Sequence, residues 1–142
     1  MTVKTAPAKA VPVATPTTKP YWEGTKAGEL RLQQCSDCSH HFLYPRIRCP
    51  KCGSANTAWV KASGKAKLYS YVINHFPAPG WEGEVPYVIA MVQLAEGPRM
   101  MSSLLGVPAD PAKLVLDMPL EVRFEARGDM MLPVFQAAGS AA

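Results

Sequence analysis

The second half of the chain alternates apolar and polar residues in short runs, a pattern typical of half-buried β-strands. In the clearest run, Leu120, Val122 and Phe124 alternate with charged residues. The segment 86–94 is instead apolar at nearly every position, as in a strand that is covered on both faces. The pattern predicts five strands, at residues 65–73, 86–94, 99–105, 120–125 and 131–135.

The region between the third and fourth strands carries a helix-start signal. Asp110 can cap a helix N-terminus, and Pro111 suits the first helical position. We therefore expect a short helix over residues 112–117, ending before Pro119. Three strands, a short helix and two further strands form the order of a five-stranded OB-fold barrel, so the fold class is predicted as mainly β.

The N-terminal part of the chain has a different character. Residues 1–19 consist mainly of Ala, Pro, Thr, Val and Lys and have no aromatic residue, which indicates a disordered tail. Beyond them a short helix is predicted over residues 21–27, with Gly28 as its stop. The predicted organisation is a helix with a metal-binding ribbon at 20–62, an OB-fold at 63–136 and a frayed C-terminus at 137–142.

All four cysteines lie in two C-x-x-C pairs with ten residues between the pairs. Two residues between paired cysteines let both thiolates reach one ion, and four sulfurs complete the tetrahedral shell of Zn²⁺. A closed shell leaves no position for water or substrate, so such a site is structural. In a reducing compartment this pattern favours metal over disulfides. The sequence therefore predicts one structural zinc ion in a rubredoxin-like ribbon, bound by Cys35, Cys38, Cys49 and Cys52.

Iron is the rival metal for the same four sulfurs. A rubredoxin-type site suits the second pair, which has the sequence Cys-Pro-Lys-Cys-Gly. An electron carrier needs little chain beyond its site, whereas a larger β domain follows here, so zinc is favoured. His40 and His41 follow the first pair closely, but four sulfurs already fill the shell. We expect these histidines at the surface or beside the site.

The net charge of +4 is unevenly distributed along the chain. From Lys26 to Lys67 there are eight basic residues and two acidic ones, whereas four basic and eight acidic residues follow Lys67. A basic middle segment can face phosphates, an acidic partner or only water.

Several functional classes lack their sequence signatures. No run of about eighteen apolar residues predicts a transmembrane helix, and the N-terminus lacks the compact apolar core of a signal peptide. We therefore expect a cytoplasmic protein without membrane association. The sequence contains no G-x-G-x-x-G fingerprint, P-loop or nucleophile elbow, and every cysteine is assigned to the metal. We expect that the chain is not a catalyst by itself.

A series of short motifs follows in order along residues 20–136. They are Tyr21-Trp22-Glu23-Gly24, Gly28-Glu29-Leu30, the two cysteine pairs, Pro45-Arg46, Trp59-Val60, Gly64-Lys65-Ala66, Tyr69-Ser70-Tyr71, Pro86-Tyr87-Val88 and Val122-Arg123-Phe124-Glu125. In this combination they resemble the zinc-ribbon and OB-fold proteins that accompany acyl-CoA enzymes. Ser39, where many members have glycine, and the long Pro/Ala-rich leader are departures that leave the fold unaffected.

The resemblance implies a function through a partner. Such proteins are similar to accessory subunits of thiolase-like enzymes (thiolases, aldolases of thiolase fold or hydroxymethylglutaryl-CoA synthase), and others are linked to MaoC-like hydratases. It implies a non-catalytic, hetero-oligomeric subunit that stabilises its partner and can help to bind CoA. The basic candidates for the CoA phosphates are Arg46, Arg48, Lys51, Lys65 and Lys67. The aromatic candidates for partner contact are Tyr21, Trp22 and Trp81.

A nucleic-acid-binding module is the alternative, because zinc ribbons and OB-folds both occur in such proteins. Binding of a single strand requires a basic groove with stacking aromatic residues. The sequence after Lys67 instead carries a net charge of −4 (four basic minus eight acidic residues). We therefore favour a protein partner.

Overall fold

The computed structural model describes residues 9–139 as a short helix, a three-stranded sheet and a closed five-stranded barrel. This architecture, a ribbon followed by an OB-fold barrel, confirms the predicted mainly β fold class. The ends of the predicted tail and of the predicted frayed C-terminus, residues 1–8 and 140–142, lie outside the described residues.

The ribbon begins with a helix, α1 (Lys19–Lys26), which starts two residues before the predicted position. Pro20 lies in its first turn, where the N–H that proline lacks has no helical partner in any case. Gly28 follows the helix in the left-handed region at φ +77°, as its predicted role requires. No helix of residues 9–139 is long and apolar enough to cross a membrane. The sheet has the order β2-β1-β3, formed by β1 (Arg31–Cys35), β2 (His41–Phe42) and β3 (Thr57–Lys61).

The barrel strands lie close to their predicted positions. They are β4 (Lys65–Asn74), β5 (Tyr87–Leu94), β6 (Arg99–Leu105), β7 (Pro119–Arg127) and β8 (Met130–Ala137). Their order, β4-β5-β6-β8-β7, closes because β7 pairs back with β4. The β6–β8 pair is parallel and the other neighbours are antiparallel, as in an OB-fold. The last strand extends to the first residue of the segment that was expected to be frayed.

The helix predicted over residues 112–117 is replaced by turns. Asp110 caps as expected, since its carboxylate accepts a 3.0 Å hydrogen bond from the Ala112 N–H. One helical turn follows, closed by a 3.2 Å bond from the Leu114 N–H to the Asp110 carbonyl, and a separate turn is closed by a 3.1 Å bond from the Met118 N–H to the Val115 carbonyl. Asp117 then adopts the left-handed region at φ +67°, which a continuing helix does not tolerate. The result is a turn that buries Leu114 in the core.

Part of the predicted disordered tail lies against the barrel. Residues 9–18 contain no strand, but Lys9 pairs with Glu84, and its ammonium lies 3.8 Å from the ring centroid of Trp81. Cation–π contacts at exposed sites stabilise by roughly 0.5–1 kcal/mol. The composition of the tail did not reveal these contacts because they depend on a loop far along the chain.

One strand was expected to be covered on both faces. β5 buries alternate residues, among them Val88, Ala90 and Val92, in the barrel core. Its other face, with Ile89 and Met91, is half-buried. The outer cover is therefore partial, which leaves space beside Ile89.

The ribbon and the barrel share one hydrophobic core. Leu30 and Leu32 of the ribbon belong to the same cluster as Leu68 and Phe135 of the barrel, and each of the four is at most 2% exposed. Burial of such side chains stabilises by about 1.5–3 kcal/mol each. The shared cluster fixes the position of the metal-binding turns relative to the barrel.

Candidate metal centre and adjoining cavity

Each cysteine pair lies in a tight turn that directs two thiols to one point. In the first cysteine turn (residues 35–38), the N–H of Ser39 donates to the Cys35 carbonyl at 2.9 Å. In the second cysteine turn (residues 49–52), the N–H of Gly53 donates to the Cys49 carbonyl, also at 2.9 Å. Ser39 and Gly53 both lie in the left-handed region, at φ +63° and +79°. The two turns thus have equivalent geometry.

The four thiols surround a space that fits one tetrahedral ion. All four sulfurs lie within 4.8 Å of one another. The Sγ atoms of Cys35 and Cys52 are 3.5 Å apart, and those of Cys38 and Cys49 are 3.6 Å apart. Zn–S bonds of about 2.3 Å at tetrahedral angles separate the sulfurs by about 3.8 Å, so these two distances need only a small expansion to accommodate zinc. The predicted site for one zinc ion is confirmed, and a bound ion would supply folding energy to the ribbon.

Backbone N–H groups prepare these thiols for a cation. Burial is the largest single effect and raises the pKa of Cys49, but hydrogen bonds from the N–H groups of Cys52 and Lys51 and from the thiols of Cys38 and Cys52 together lower that pKa to about 7. The N–H of Ser54 lowers the pKa of Cys52, but the adjacent Cys35 thiol and burial raise it to about 12. The cluster therefore does not lose all its protons easily without an ion, and uptake of metal releases protons.

A polar network joins the two cysteine turns. Asp37 of the first turn accepts hydrogen bonds from the Ser54 hydroxyl and, at 3.2 Å, from the Asn56 side-chain amide. The backbone of Asn56 adds to the link, because its carbonyl accepts a 2.8 Å bond from the Ser36 N–H. These bonds hold the two turns together independently of the ion.

The loop that leads into the second turn is held by a buried amide. Gln33 is only 4% exposed. Its side chain donates to the Arg46 carbonyl and accepts from the Arg46 N–H, both at 2.8 Å. This two-point contact holds the backbone at Arg46, so the exposed side chains of Arg46, Ile47 and Arg48 project from a fixed loop.

A mainly apolar cavity of about 580 Å³ lies beside the ribbon, between α1, residues 43–45 and the barrel. Strands β5, β6 and β8 contribute its barrel side. Trp81 from the β4–β5 loop and Arg127 from the end of β7 also border it. Cavities of this size and apolar character are typical of small-molecule sites.

The three aromatic candidates for partner contact all border this cavity. Tyr21 is 8% exposed and belongs to the core, so its assignment to a partner surface is corrected. The short helix packs on the barrel and directs Tyr21 inward, with its ring edge-on to Trp22 at 5.0 Å. Trp22 and Trp81 remain partly exposed, and Trp81 packs on Tyr87 at 4.5 Å between ring centroids.

The five basic candidates for CoA phosphates are all exposed, but they divide into separate groups. Arg46 and Arg48 border a shallow cleft of the ribbon. The other residues that line this cleft are Thr17, Pro45 and Ile47. The cleft lies next to the apolar cavity, since Pro45 borders both. The arginine pair is therefore a compact cationic site.

The lysines lie elsewhere. Lys65 and Lys67 border a depression on the barrel, where the Lys67 ammonium is 3.7 Å from Asp117. Lys51 is exposed on the second cysteine turn. The five basic residues form one group by their charge and their closeness in sequence. In the folded chain they lie on different parts of the surface.

Two cavity residues had no sequence signal that marked them. The hydroxyl of Tyr44, in the loop after β2, accepts a 3.1 Å hydrogen bond from the Met101 N–H on β6. The guanidinium carbon of Arg127 lies 5.5 Å from the Trp81 ring centroid. A tyrosine in a loop or an arginine at a strand end is too common to indicate a site. Only the tertiary structure brings them to one cavity.

The sequence matches two adjoining family profiles. Residues 22–58 match the rubredoxin-like zinc ribbon domain of ChsH2, and residues 59–125 match the C-terminal OB-fold domain of ChsH2. The junction between the two matched segments falls inside β3.

Curated relatives include two hydratase subunits and a scaffold protein. The chain is 37% identical over 119 residues to a probable enoyl-CoA hydratase alpha subunit of Thermomonospora curvata, covering 83% of this chain and 36% of that protein. It is 40% identical over 106 residues to the 3-oxo-4,17-pregnadiene-20-carboxyl-CoA hydratase alpha subunit of Mycobacterium tuberculosis, covering 73% and 32%. A DUF35 domain-containing scaffold protein of Methanothermobacter thermautotrophicus is 33% identical over 96 residues, covering 67% and 71%. The chain thus spans about a third of each hydratase subunit.

Two solved structures are similar to this one. The Ltp2-ChsH2(DUF35) aldolase matches with a TM-score of 0.79 and 34% identity, over 90% of this chain and 99% of that chain. A DUF35-family protein of unknown function from Sulfolobus solfataricus matches with a TM-score of 0.62 over 86% of this chain and 85% of that chain. At 16% identity the second likeness shows the fold alone.

Proposed function

Because this chain belongs to the DUF35 family of zinc-ribbon and OB-fold proteins, we propose that it is a non-catalytic accessory subunit of an enzyme complex in acyl-CoA metabolism. The observation that carries the proposal is the structural likeness of this chain to an aldolase chain, together with its sequence similarity to proteins named as acyl-CoA hydratase subunits and as a scaffold. The ribbon, held together by zinc, and the barrel that follows it would serve as a rigid body that stabilises the partner.

The partner that we propose is a thiolase-like enzyme, a class that includes aldolases of thiolase fold. The likeness to the Ltp2-ChsH2(DUF35) aldolase, at 34% identity over 90% of this chain, supports a partner of the aldolase type. A hydratase is the second candidate, and the names of the two hydratase alpha subunits favour it. We propose one docking surface for either partner, the aldolase or the hydratase.

For this docking surface we propose the rim of the apolar cavity. Trp22 and Trp81 keep the role proposed for them, because both are partly exposed at this rim. Met101 and Tyr44 lie beside them with 60% and 57% of their surface exposed. Large apolar and aromatic side chains that are already held in place are typical anchors of protein interfaces.

For the phosphates of CoA we propose Arg46 and Arg48 as the main contacts. Gln33 holds the backbone of their loop, and Arg48 donates a 3.1 Å hydrogen bond to the Gly53 carbonyl. Guanidinium groups suit phosphate because their planar fork donates two parallel hydrogen bonds to it, and the fixed loop limits the backbone freedom lost on binding. Lys51, Lys65 and Lys67 lie apart from the arginine pair and are proposed only as secondary contacts.

The experiment that tests the accessory role is a pull-down of the tagged chain from its native cells, with proteins identified by mass spectrometry. We expect an acyl-CoA enzyme in nearly equal amount. Met101→Asp places a charge on the proposed docking surface and should remove that enzyme. Phe76→Asp is the matched control, because Phe76 is 86% exposed and does not border the cavity.

Two results would contradict the proposal. Recovery of nucleic acid without any acyl-CoA enzyme would favour the nucleic-acid-binding alternative. Recovery of the enzyme in equal amount by Met101→Asp and Phe76→Asp would leave the partner in place but exclude the cavity rim as its docking surface.

A further inference from the structure

Tyr21 borders the apolar cavity, and its hydroxyl is not paired within the part of the protein that the structure describes. Tyr21 is 8% exposed, and within residues 9–139 its hydroxyl has no hydrogen-bond partner. Among the described residues, Glu96 Oε1 is the one buried side-chain oxygen or nitrogen that is both sealed and unpaired. The Tyr21 hydroxyl must therefore reach open space, and the cavity is the space that Tyr21 borders.

The hydroxyl of Tyr21 is suited to donate a hydrogen bond. Burial, with a smaller contribution from the neighbouring Tyr44, raises the pKa of Tyr21 well above its usual value. Tyr21 therefore keeps its proton throughout the neutral pH range. A ligand oxygen in the cavity would accept a hydrogen bond from this hydroxyl in place of water.

Two other hydroxyls border the cavity close to the apolar walls, those of Tyr44 and Ser102. The Tyr44 oxygen accepts from the Met101 N–H, which leaves its hydroxyl hydrogen available to a ligand. The Ser102 hydroxyl donates to the Pro133 carbonyl at 2.9 Å and so uses its hydrogen within the protein. The Tyr21 and Tyr44 hydroxyls can therefore both donate to one ligand oxygen, and a carbonyl oxygen accepts two such bonds.

The walls indicate that the rest of the ligand is apolar and uncharged. Trp22, Met100 and Val134 are among the residues that border the cavity. A carboxylate held against such walls would lose its hydration without full compensation. The cation at the edge, Arg127, lies 4.0 Å from Glu125 and near the face of Trp81, so its charge is already partly matched.

We propose that this cavity binds a small apolar carbonyl compound, with the Tyr21 hydroxyl donating to the carbonyl oxygen and the apolar walls enclosing the rest. Its volume of about 580 Å³ lies within the range typical of small-molecule sites. This inference goes beyond the proposed accessory role, because it concerns a binding activity of the chain without any partner. Docking of a partner at the rim would close the cavity over its ligand.

The test compares two probes of nearly equal shape, 2-acetylnaphthalene and 2-ethylnaphthalene, by calorimetric titration into the full zinc-loaded chain. Both should bind saturably at one site per chain. The ketone should bind about fivefold more tightly than the hydrocarbon, because it alone accepts a hydrogen bond. Tyr21→Phe should abolish this preference and keep the affinity for the hydrocarbon.

Two control variants locate the effect. Tyr69→Phe removes a hydroxyl outside the cavity, on a ring that lies under the Arg99 guanidinium at 3.8 Å, and should keep the fivefold preference. Ile89→Trp fills the cavity from the half-buried face of β5 and should weaken both probes at least tenfold. Each variant is first checked for an unchanged zinc content and melting temperature.

Three outcomes would overturn the inference. They are the absence of saturable binding of either probe, a ketone preference that persists in Tyr21→Phe, and unchanged affinity in a folded Ile89→Trp protein. If wild-type binding is absent while a partner enzyme protects the cavity rim, the cavity receives a protein side chain instead. None of these outcomes depends on which partner the pull-down identifies.

Discussion

Ser39 and Gly53 occupy the same left-handed position, each directly after one of the two cysteine pairs, at φ +63° and +79°. Each donates the 2.9 Å hydrogen bond that closes its turn. Glycine adopts this backbone region freely, whereas a residue with a Cβ atom is strained there. The first turn therefore carries conformational strain that the second lacks.

Relief of this strain should stabilise the protein. We expect Ser39→Gly to raise the free energy of unfolding of the zinc-bound chain by about 1 kcal/mol, measured by denaturant titration. Gly53→Ser should lower it by a similar amount. A Cβ at Gly53 would have no atom within 4 Å, so this variant measures backbone strain alone. Equal stabilities of all three proteins would show that the turns tolerate either residue.

Loss of the metal should destabilise the chain. A chelator, or the substitution Cys35→Ser, should lower the melting temperature markedly, because metal binding contributes folding energy in small sites. Ser36→Ala, next to Cys35 but exposed, is the control and should keep one metal ion per chain. Elemental analysis should find zinc. Iron in a coloured protein would instead support the rubredoxin-type site, and an unchanged melting temperature without metal would contradict a structural role.

Gly64 should not tolerate a larger residue, for two separate reasons. It lies at φ +83°, and a Cβ there would lie 2.8 Å from Val122 Cγ1 on β7. Gly106, at φ +75°, has the strain without the contact, because no atom lies within 4 Å of its Cβ position. We expect Gly64→Ala to lower the free energy of unfolding by at least about 1 kcal/mol more than Gly106→Ala. Addition of Val122→Ala to the Gly64→Ala protein should reduce this difference in the free energy of unfolding, because it removes the Cγ1 atom that the new Cβ would contact.

The Gln33 contact should stabilise both the fold and the arginine loop. Gln33→Leu leaves the Arg46 N–H and carbonyl without their partner, and we expect a loss of about 1–3 kcal/mol in denaturant titrations. The control is Gln93→Leu, because the Gln93 amide makes only a long, exposed bond of 3.4 Å to the Gly97 carbonyl. Similar losses in both variants would contradict the assigned role of Gln33.

The arginine cleft should bind CoA through its phosphates. We expect the double substitution Arg46→Ala and Arg48→Ala to weaken binding of CoA by about tenfold at low salt, and the wild-type affinity to fall as salt rises. The matched control is the substitution of Lys26 and Lys113 by alanine, which removes two charges from exposed positions that are not among the CoA candidates. Equal weakening by both pairs would indicate a general charge effect rather than a phosphate site.

The parts of the fold with a local pattern were predicted well. The bounds of β6 are those predicted, and the cysteine spacing identified the metal site, because both depend on residues close in sequence. The helix at residues 112–117 was not formed, because a single turn satisfies the cap at Asp110 and the core needs Leu114 at that place.

The cavity could not be predicted in the same way. Its residues come from α1, the ribbon loop, the β4–β5 loop and four barrel strands, and only the packing of the ribbon on the barrel brings them together. Tyr21 illustrates the limit. Its aromatic character indicated an important residue, but whether it faced a partner or the interior depended on where α1 packs.

The continuous core formed by Leu30 and Leu32 with Leu68 and Phe135 makes the chain one cooperative unit rather than two joined modules. A cut at the boundary between residues 58 and 59 would divide β3 and expose this core in both fragments. The free energy released when the cysteines take up zinc is therefore available to the barrel as well. The ion acts as a remote stabiliser of strands to which it is not bound.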